Sequence, residues 1–196
     1  HRGHSELIVP TIERVLSDSG IALEDLTAFA VVTGPGSFTG LRIGLATVKG
    51  FAYALNKPII PVTAMEALAW QHRTYPQLVY PIIDARRQEV FTQAFRSGES
   101  VAEAVNCKVS DLVEMLNSLS EPVLFTGPGV TAHRQQLSEV KHAIFAPDQD
   151  LQLRPSRAAA LGLERCKQRK TQALYEVQPY YMRKRSAEYQ FNPTEK

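Results

Sequence analysis

The chain holds little that would carry chemistry unaided. Two cysteines, Cys107 and Cys166, stand far apart with no CxxC. A disulfide framework and a cysteine zinc site are thereby excluded, and a reduced, cytoplasmic protein is the simplest expectation. No apolar run approaches the ~20 residues of a bilayer span, and no charged segment followed by an apolar one marks a secretion signal, so no membrane role is expected. The histidines His1, His4, His72, His133 and His142 are dispersed, without HExxH, and each is read as a surface or loop residue. Neither phosphate-binding pattern, GxxxxGK[ST] or GxGxxG, is present.

What remains is an ordinary globular composition, 44% hydrophobic and 21% charged, ample for a core. Net charge is only +2, but it is uneven. Residues 154–185 carry Arg154, Arg157, Arg165, Lys167, Arg169, Lys170, Arg183, Lys184 and Arg185 against Glu164 and Glu176. Such a segment is either a solvated helix face with a tail or a contact for an acidic partner or nucleic acid.

Periodicity orders the chain. Ile8, Ile12, Val15 and Leu16 predict an amphipathic helix over Ser5–Leu16, ended near Gly20. Phe29–Val32 is a buried strand closed by Thr33-Gly34-Pro35-Gly36. A helix over Phe38–Leu55 follows, with Ser37 as N-cap, then a strand at Ile59–Val62 and a helix capped by Thr63. Short apolar strands alternating with helices predict a parallel sheet. Leu78–Ile83 and Glu89–Phe95 then predict an antiparallel hairpin that opens a second lobe. A helix capped by Ser110, a strand at Val123–Phe125, a helix over Val130–Val140, a strand at His142–Phe145 and a helix from Pro155 to about Arg169 follow. Tyr175–Met182 is a last extended segment. Thr-Gly-Pro-Gly recurs at Thr126–Gly129, again between strand and helix, which fits a duplicated two-lobed α/β fold. The division expected is a first lobe over 1–76, a second over 77–185 and a tail over 186–196.

The run Gly34-Pro35-Gly36-Ser37-Phe38-Thr39-Gly40-Leu41-Arg42-Ile43-Gly44 is the most informative. A glycine turn before a helix N-terminus can cradle an anion on free N–H groups, so Gly34, Gly36, Ser37 and Thr39 are candidates for a nucleotide-proximal loop, with Asp84 beside them. Such turns are also common as plain structure. The helix is more telling. Gly40, Gly44 and Gly50 each cost ~1 kcal/mol relative to Ala in a helix interior. Gly40, Gly44, Thr47 and Ala54 form a small-residue face suited to close approach by another backbone, while Leu41, Leu45, Val48 and Ala52 serve the core. That face either packs inside the chain or meets a partner helix.

This run, continued by Leu45–Ala52, by Pro61-Val62-Thr63-Ala64-Met65-Glu66-Ala67-Leu68, by Ile83–Phe91 and by Pro179–Arg183, resembles the TsaB (YeaZ) family of tRNA threonylcarbamoyladenosine biosynthesis proteins. The likeness covers about His4 to Glu188. It implies a two-lobed actin/Hsp70/sugar-kinase-like (ribonuclease H-like) fold whose first lobe normally opens with a β-meander. The chain resumes at the helix after that meander, so a trimmed start is expected. In the catalytic relative TsaD, a His-Met-Glu-Gly-His metal motif matches Ala64–Leu68. Both histidines are replaced here by aliphatic groups, which cannot coordinate iron or zinc. The resemblance therefore implies no metal and no catalytic residue. It implies a non-catalytic subunit docking TsaD through Ile8, Ile12, Gly40, Gly44, Thr47, Phe51 and Ala54, and homodimers through the same surface. It further implies TsaE as partner, tRNA as substrate of the complex, and ATP or ADP only in the assembled complex. Arg165, Lys167, Arg169 and Lys170 are candidate tRNA contacts.

Two enzyme readings compete. An ATP-dependent kinase of the same superfamily would rely on Asp84, whose local reading is a turn carboxylate accepting backbone N–H bonds or pairing with Arg86 or Arg87. A metallopeptidase would need ligands that the chain lacks.

Overall fold

The structure is a computed structural model that describes residues 4–182. The expected tail at 186–196, and Arg183, Lys184, Arg185, Ala187 and Glu188, lie outside the described residues. The opening helix, α1, spans His4–Ser19 and stops at Gly20, whose φ of +66° favours glycine. Strand β1 (Phe29–Gly34) leads into α2 (Phe38–Leu55) and then β2 (Ile59–Thr63), which pairs with β1 in parallel. Two of the three predicted caps, Ser37 and Thr63, are present. Ser37 accepts from the Gly40 N–H at 3.3 Å. Thr63 caps α3 (Ala64–Trp70) in a reciprocal box with Glu66.

A second set of strands follows: β3 (Leu78–Pro81), β4 (Ile83–Arg86), β5 (Glu89–Thr92), β6 (Phe95–Arg96), β7 (Glu99–Ser100) and β8 (Val105–Lys108). After these come α4 (Val109–Asn117), β9 (Val123–Thr126), α5 (Gly129–Leu137), β10 (Ala143–Phe145) and α6 (Pro155–Lys167). They form a five-stranded sheet ordered β10-β9-β3-β6-β7, parallel from β10 to β3, and a three-stranded antiparallel sheet β4-β5-β8. The run predicted as one strand at 78–83 is therefore two. It changes sheets at Ile82, whose N–H donates to Thr126 and whose carbonyl accepts from Gly129. Its hairpin partner breaks likewise between β5 and β6.

The unit β9–Thr-Gly-Pro-Gly–α5–β10 repeats the plan of β1–Thr-Gly-Pro-Gly–α2–β2. The expected division at 76/77 is crossed twice. Ala64, Met65, Leu68 and Ala69 of α3 lie in one core with Leu78, Val79, Phe95 and Val123. Conversely, α6 packs back on β1 and β2, where Gly162 sits so close to Ala30 that a Cβ would lie 2.6 Å from its methyl. A smaller core beneath α2 joins Phe29, Val31, Leu45, Ala52, Ile59 and Val177. Leu45 and Ala52 thus face inward as their spacing requires.

Candidate functional site

The glycine turn ahead of α2 is closed by the chain itself. Gly34 has φ +126°, and a Cβ there would stand 2.9 Å from the Tyr180 carbonyl oxygen. The Tyr180 N–H donates to Thr33 at 2.8 Å. Ser37 spends its hydroxyl on the helix cap. Gly36 and Thr39 are exposed beside this plug. The glycine in this turn therefore answers to close packing of the chain's own backbone.

Asp84 has different neighbours from those expected. It sits on β4 against the second Thr-Gly-Pro-Gly turn, where a Cβ on Gly129 would come within 2.8 Å of the Asp84 nitrogen. Its Oδ1 accepts from the Arg86 N–H at 2.9 Å and meets His133 Nε2 at 3.2 Å. Desolvation pushes this carboxyl up, but the Arg86 N–H and His133 outweigh it and hold the group below its ordinary value. The turn-carboxylate reading of Asp84 holds, with His133 in place of a paired arginine side chain. His133 corrects the expectation of a surface histidine, since it is buried on α5. The signal missed was a partner 49 residues away. His72 is likewise half-buried, with Nε2 at 3.1 Å from Thr126 Oγ1.

Ala64 and Leu68, read above against a metal motif, are buried in the core. Among the described residues no cluster of three or more His, Cys, Asp or Glu side chains could hold a metal ion. Burial, then Asp111 and Glu89, pushes the Cys107 thiol up, which suppresses the reactive thiolate.

The basic segment divides. Arg165 is no free cation. Its guanidinium donates to the Pro61 carbonyl at 2.7 Å and pairs with Glu66, both side chains being about three-quarters buried. Its assignment as a tRNA contact is corrected on that ground, for the charge is spent on the α3–α6 junction. Among the described residues Lys167 pairs only with its helix neighbour Glu164, and Arg169 and Lys170 are exposed just past α6.

The open surface lies between α1 and α2. Leu7, Ile8, Thr11 and Ile12 face Ser37, Gly40, Ile43 and Gly44 across a groove of about 430 Å³. Ile8, Ile12, Gly40 and Gly44 are thus brought together as expected. Leu7, Thr11 and Ile43 were missed, although Leu7 and Thr11 continue the same helical arc one turn apart. Nothing lies within 4 Å of a Cβ built on Gly44 or Gly50. Apolar side chains of α1 remain in solvent, among them the lining residue Leu7 at 43% and, further along the helix, Val15 at 61% exposure. Thr47 and Ala54 lie further along α2, and Thr47 Oγ1 donates back to Ile43. Phe51 is a correction. Its helical angle points to this face, but its ring stacks on Phe29 at 6.1 Å and belongs to the subunit's own core. Among the described residues no helix is long and apolar enough to cross a membrane.

Fold and site together define a class: an α/β protein whose turn glycines Gly34, Gly127 and Gly129 admit its own backbone and which carries an open apolar groove between two helices. The profile of the family described as "TsaD: tRNA N6-adenosine threonylcarbamoyltransferase" matches residues 1–191. The tRNA threonylcarbamoyladenosine biosynthesis protein TsaB of Bacillus subtilis is 33% identical over 193 residues, 95% of this chain and 82% of that protein. The TsaB of Haemophilus influenzae is 33% identical over 124 residues, 62% of this chain and 50% of that protein. Among solved structures, a Pseudomonas aeruginosa protein with similarity to peptidase YEAZ superposes with a TM-score of 0.78 at 22% identity, over 93% of this chain and 85% of that one, a likeness of fold. The chain belongs to the TsaB/TsaD family of tRNA threonylcarbamoyladenosine biosynthesis proteins.

Proposed function

We propose that the chain serves tRNA threonylcarbamoyladenosine biosynthesis as a non-catalytic scaffold subunit. It docks TsaD, and with it TsaE, for N6-threonylcarbamoylation of the tRNA adenosine beside the anticodon. The observation that carries this reading is the groove between α1 and α2, where small residues leave the backbone open and apolar side chains stand in water. A lone subunit gains nothing from either feature, whereas a helical partner would bury both. Two copies of the chain could pair through the same surface in the cytoplasm. The fold reading that accompanies the proposal is a two-lobed actin/Hsp70/sugar-kinase-like arrangement, supported by the two β–Thr-Gly-Pro-Gly–α–β units.

Two further features favour a scaffold over a catalyst. Asp84 is engaged by Arg86 and His133, which argues against the kinase reading. Ala64 and Leu68 are core residues, which argues against a metallopeptidase. ATP or ADP is assigned to the assembled complex rather than to this subunit. Lys167, Arg169 and Lys170 are retained as tRNA contacts in that complex.

Co-purification with TsaD tests the proposal, with Gly44→Arg as the blocking variant. The parent chain is expected to hold TsaD through gel filtration and the variant to release it. Equal retention by both would place the contact elsewhere. Stoichiometric zinc or iron, or ATP turnover by the isolated chain, would restore an enzymatic reading.

A further inference from the structure

Beyond α6 the chain returns to the first parallel unit as a strap. The Gln172 N–H donates to Ile59 at the start of β2, at 2.9 Å, and the Tyr180 N–H donates to Thr33 near the end of β1, at 2.8 Å. Between them Val177 is fully buried in the core under α2. The strap thus crosses from the start of one strand to the end of the other. It ends on α2, where Tyr181 makes two contacts. Its ring lies 5.4 Å from that of Phe38, centroid to centroid. Its hydroxyl accepts from Arg42 Nε at 3.0 Å. The same guanidinium lies 3.9 Å over the Phe38 ring, so one cation ties both aromatics together. Gly34 lets the neighbouring Tyr180 carbonyl approach.

These contacts hold the first turn and a half of α2. The N-cap Ser37 and Gly40 of that stretch line the groove, while no strap residue does. We propose that the strap is a positioning device for the docking groove: Tyr180 and Tyr181 fix the N-terminal turns of α2, and partner affinity depends on them at a distance. The inference rests on the docking reading above, and it adds control elements that touch neither the groove nor the partner. Free helix N-termini fray, because their first N–H groups lack intrahelical acceptors. Here a single Ser37 cap serves that end, so the strap supplies the remaining restraint. Anything that lifts the strap would loosen the groove.

Amide hydrogen exchange on the isolated chain tests the local half without a partner. Tyr181→Ala, at a partly exposed position, is expected to speed exchange about tenfold over residues 38–44 while α5 keeps the parent rate. Tyr181→Phe keeps the ring contact, loses the Arg42 acceptor, and should fall between. Unchanged exchange over 38–44 would overturn the proposal, and so would equal acceleration in α5, which would make the strap a general staple. The second half is read with purified TsaD, whose affinity should fall about tenfold for Tyr181→Ala and recover most of the way in Tyr181→Phe. Faster exchange with unchanged TsaD affinity would overturn the coupling. If the parent chain itself fails to bind TsaD, the docking reading falls, and exchange alone decides the strap.

Discussion

Replacing Gly44 by alanine separates a structural role for this glycine from an intermolecular one. A methyl at Gly44 would meet nothing within 4 Å, so the substitution neither overpacks the subunit nor strains it. It does remove the entropic penalty of glycine inside a helix, about 1 kcal/mol. For a chain of this length that raises the melting temperature by roughly 2–4 °C. In a docked complex the same methyl stands where another backbone must approach. Overpacking of that kind costs about 1–3 kcal/mol, or roughly 5- to 150-fold in affinity. Gly44→Ala should therefore raise stability while weakening TsaD binding. Gly50→Ala, equally open but outside the groove lining, should gain similar stability with little loss of affinity. Differential scanning fluorimetry at concentrations too low for self-association gives the first quantity, since a dimer would add to apparent stability. Titration calorimetry with TsaD gives the second. A Gly44→Ala chain that melts below the parent would mean that the methyl collides inside the subunit. Unchanged affinity would mean that no partner comes close there.

Three other outcomes follow from the packing. Gly127→Ala places a Cβ 2.6 Å from the Ile82 carbonyl oxygen at φ +98°; it should cost about 3 kcal/mol or more, seen as a lower urea midpoint, and a parent-like midpoint would show that the turn can relax. Glu66→Ala removes the return half of the Thr63 cap and the partner of Arg165, for a loss of about 2–3 kcal/mol; Glu66→Ala with Arg165→Met should recover part of it, and no recovery would mean that the unpaired guanidinium is not the cause. The His72 pKa is lowered below 6.5 chiefly by burial, against Asp150 and with Arg157. Its neutral form therefore suits the fold, so its contribution is complete above pH 6.5 and fades as pH falls below that value. His72→Gln should flatten the loss of melting temperature between pH 7.5 and 5.5, and parallel curves for parent and variant would clear His72.

Much of the fold was legible because its signals are local. Ser37, Thr63 and Gly20 mark helix ends by their own chemistry, and the apolar spacing of Leu41, Leu45, Val48 and Ala52 predicts which side of α2 is buried. The misses share a different cause. An apolar run such as 78–83 reads as one strand, and only the bonds of Ile82 to Thr126 and Gly129 divide it. Strands β7 and β8 are short and largely exposed, without alternation to betray them. Ser110 has the side chain of a cap, yet α4 starts at Val109, whose N–H donates to Gln88. At the site, Phe51 and Arg165 carry the right residue types at the right surface angles. What they do is decided by Phe29 and Glu66, neighbours that are distant in sequence.

The glycines, sorted by what a side chain would meet, separate the two kinds of cause. At Gly34, Gly127 and Gly129 a Cβ would run into the chain's own backbone within 3 Å. Internal packing explains these three. Gly44 and Gly50 differ, because no atom of the subunit requires them to be small, and each lowers the stability of the helix that carries it. Open space alone does not make such a glycine a contact, since Gly50 is equally open and lies outside the groove lining. Gly44 also borders a groove whose other wall shows isoleucine and leucine to water, the surface that the docking proposal gives to an apolar, helical partner. Arg42, Phe38 and Tyr181 then matter for a related reason. A surface made of absent side chains holds its shape only if the backbone beneath it is held, and here the holding comes from the far end of the described chain.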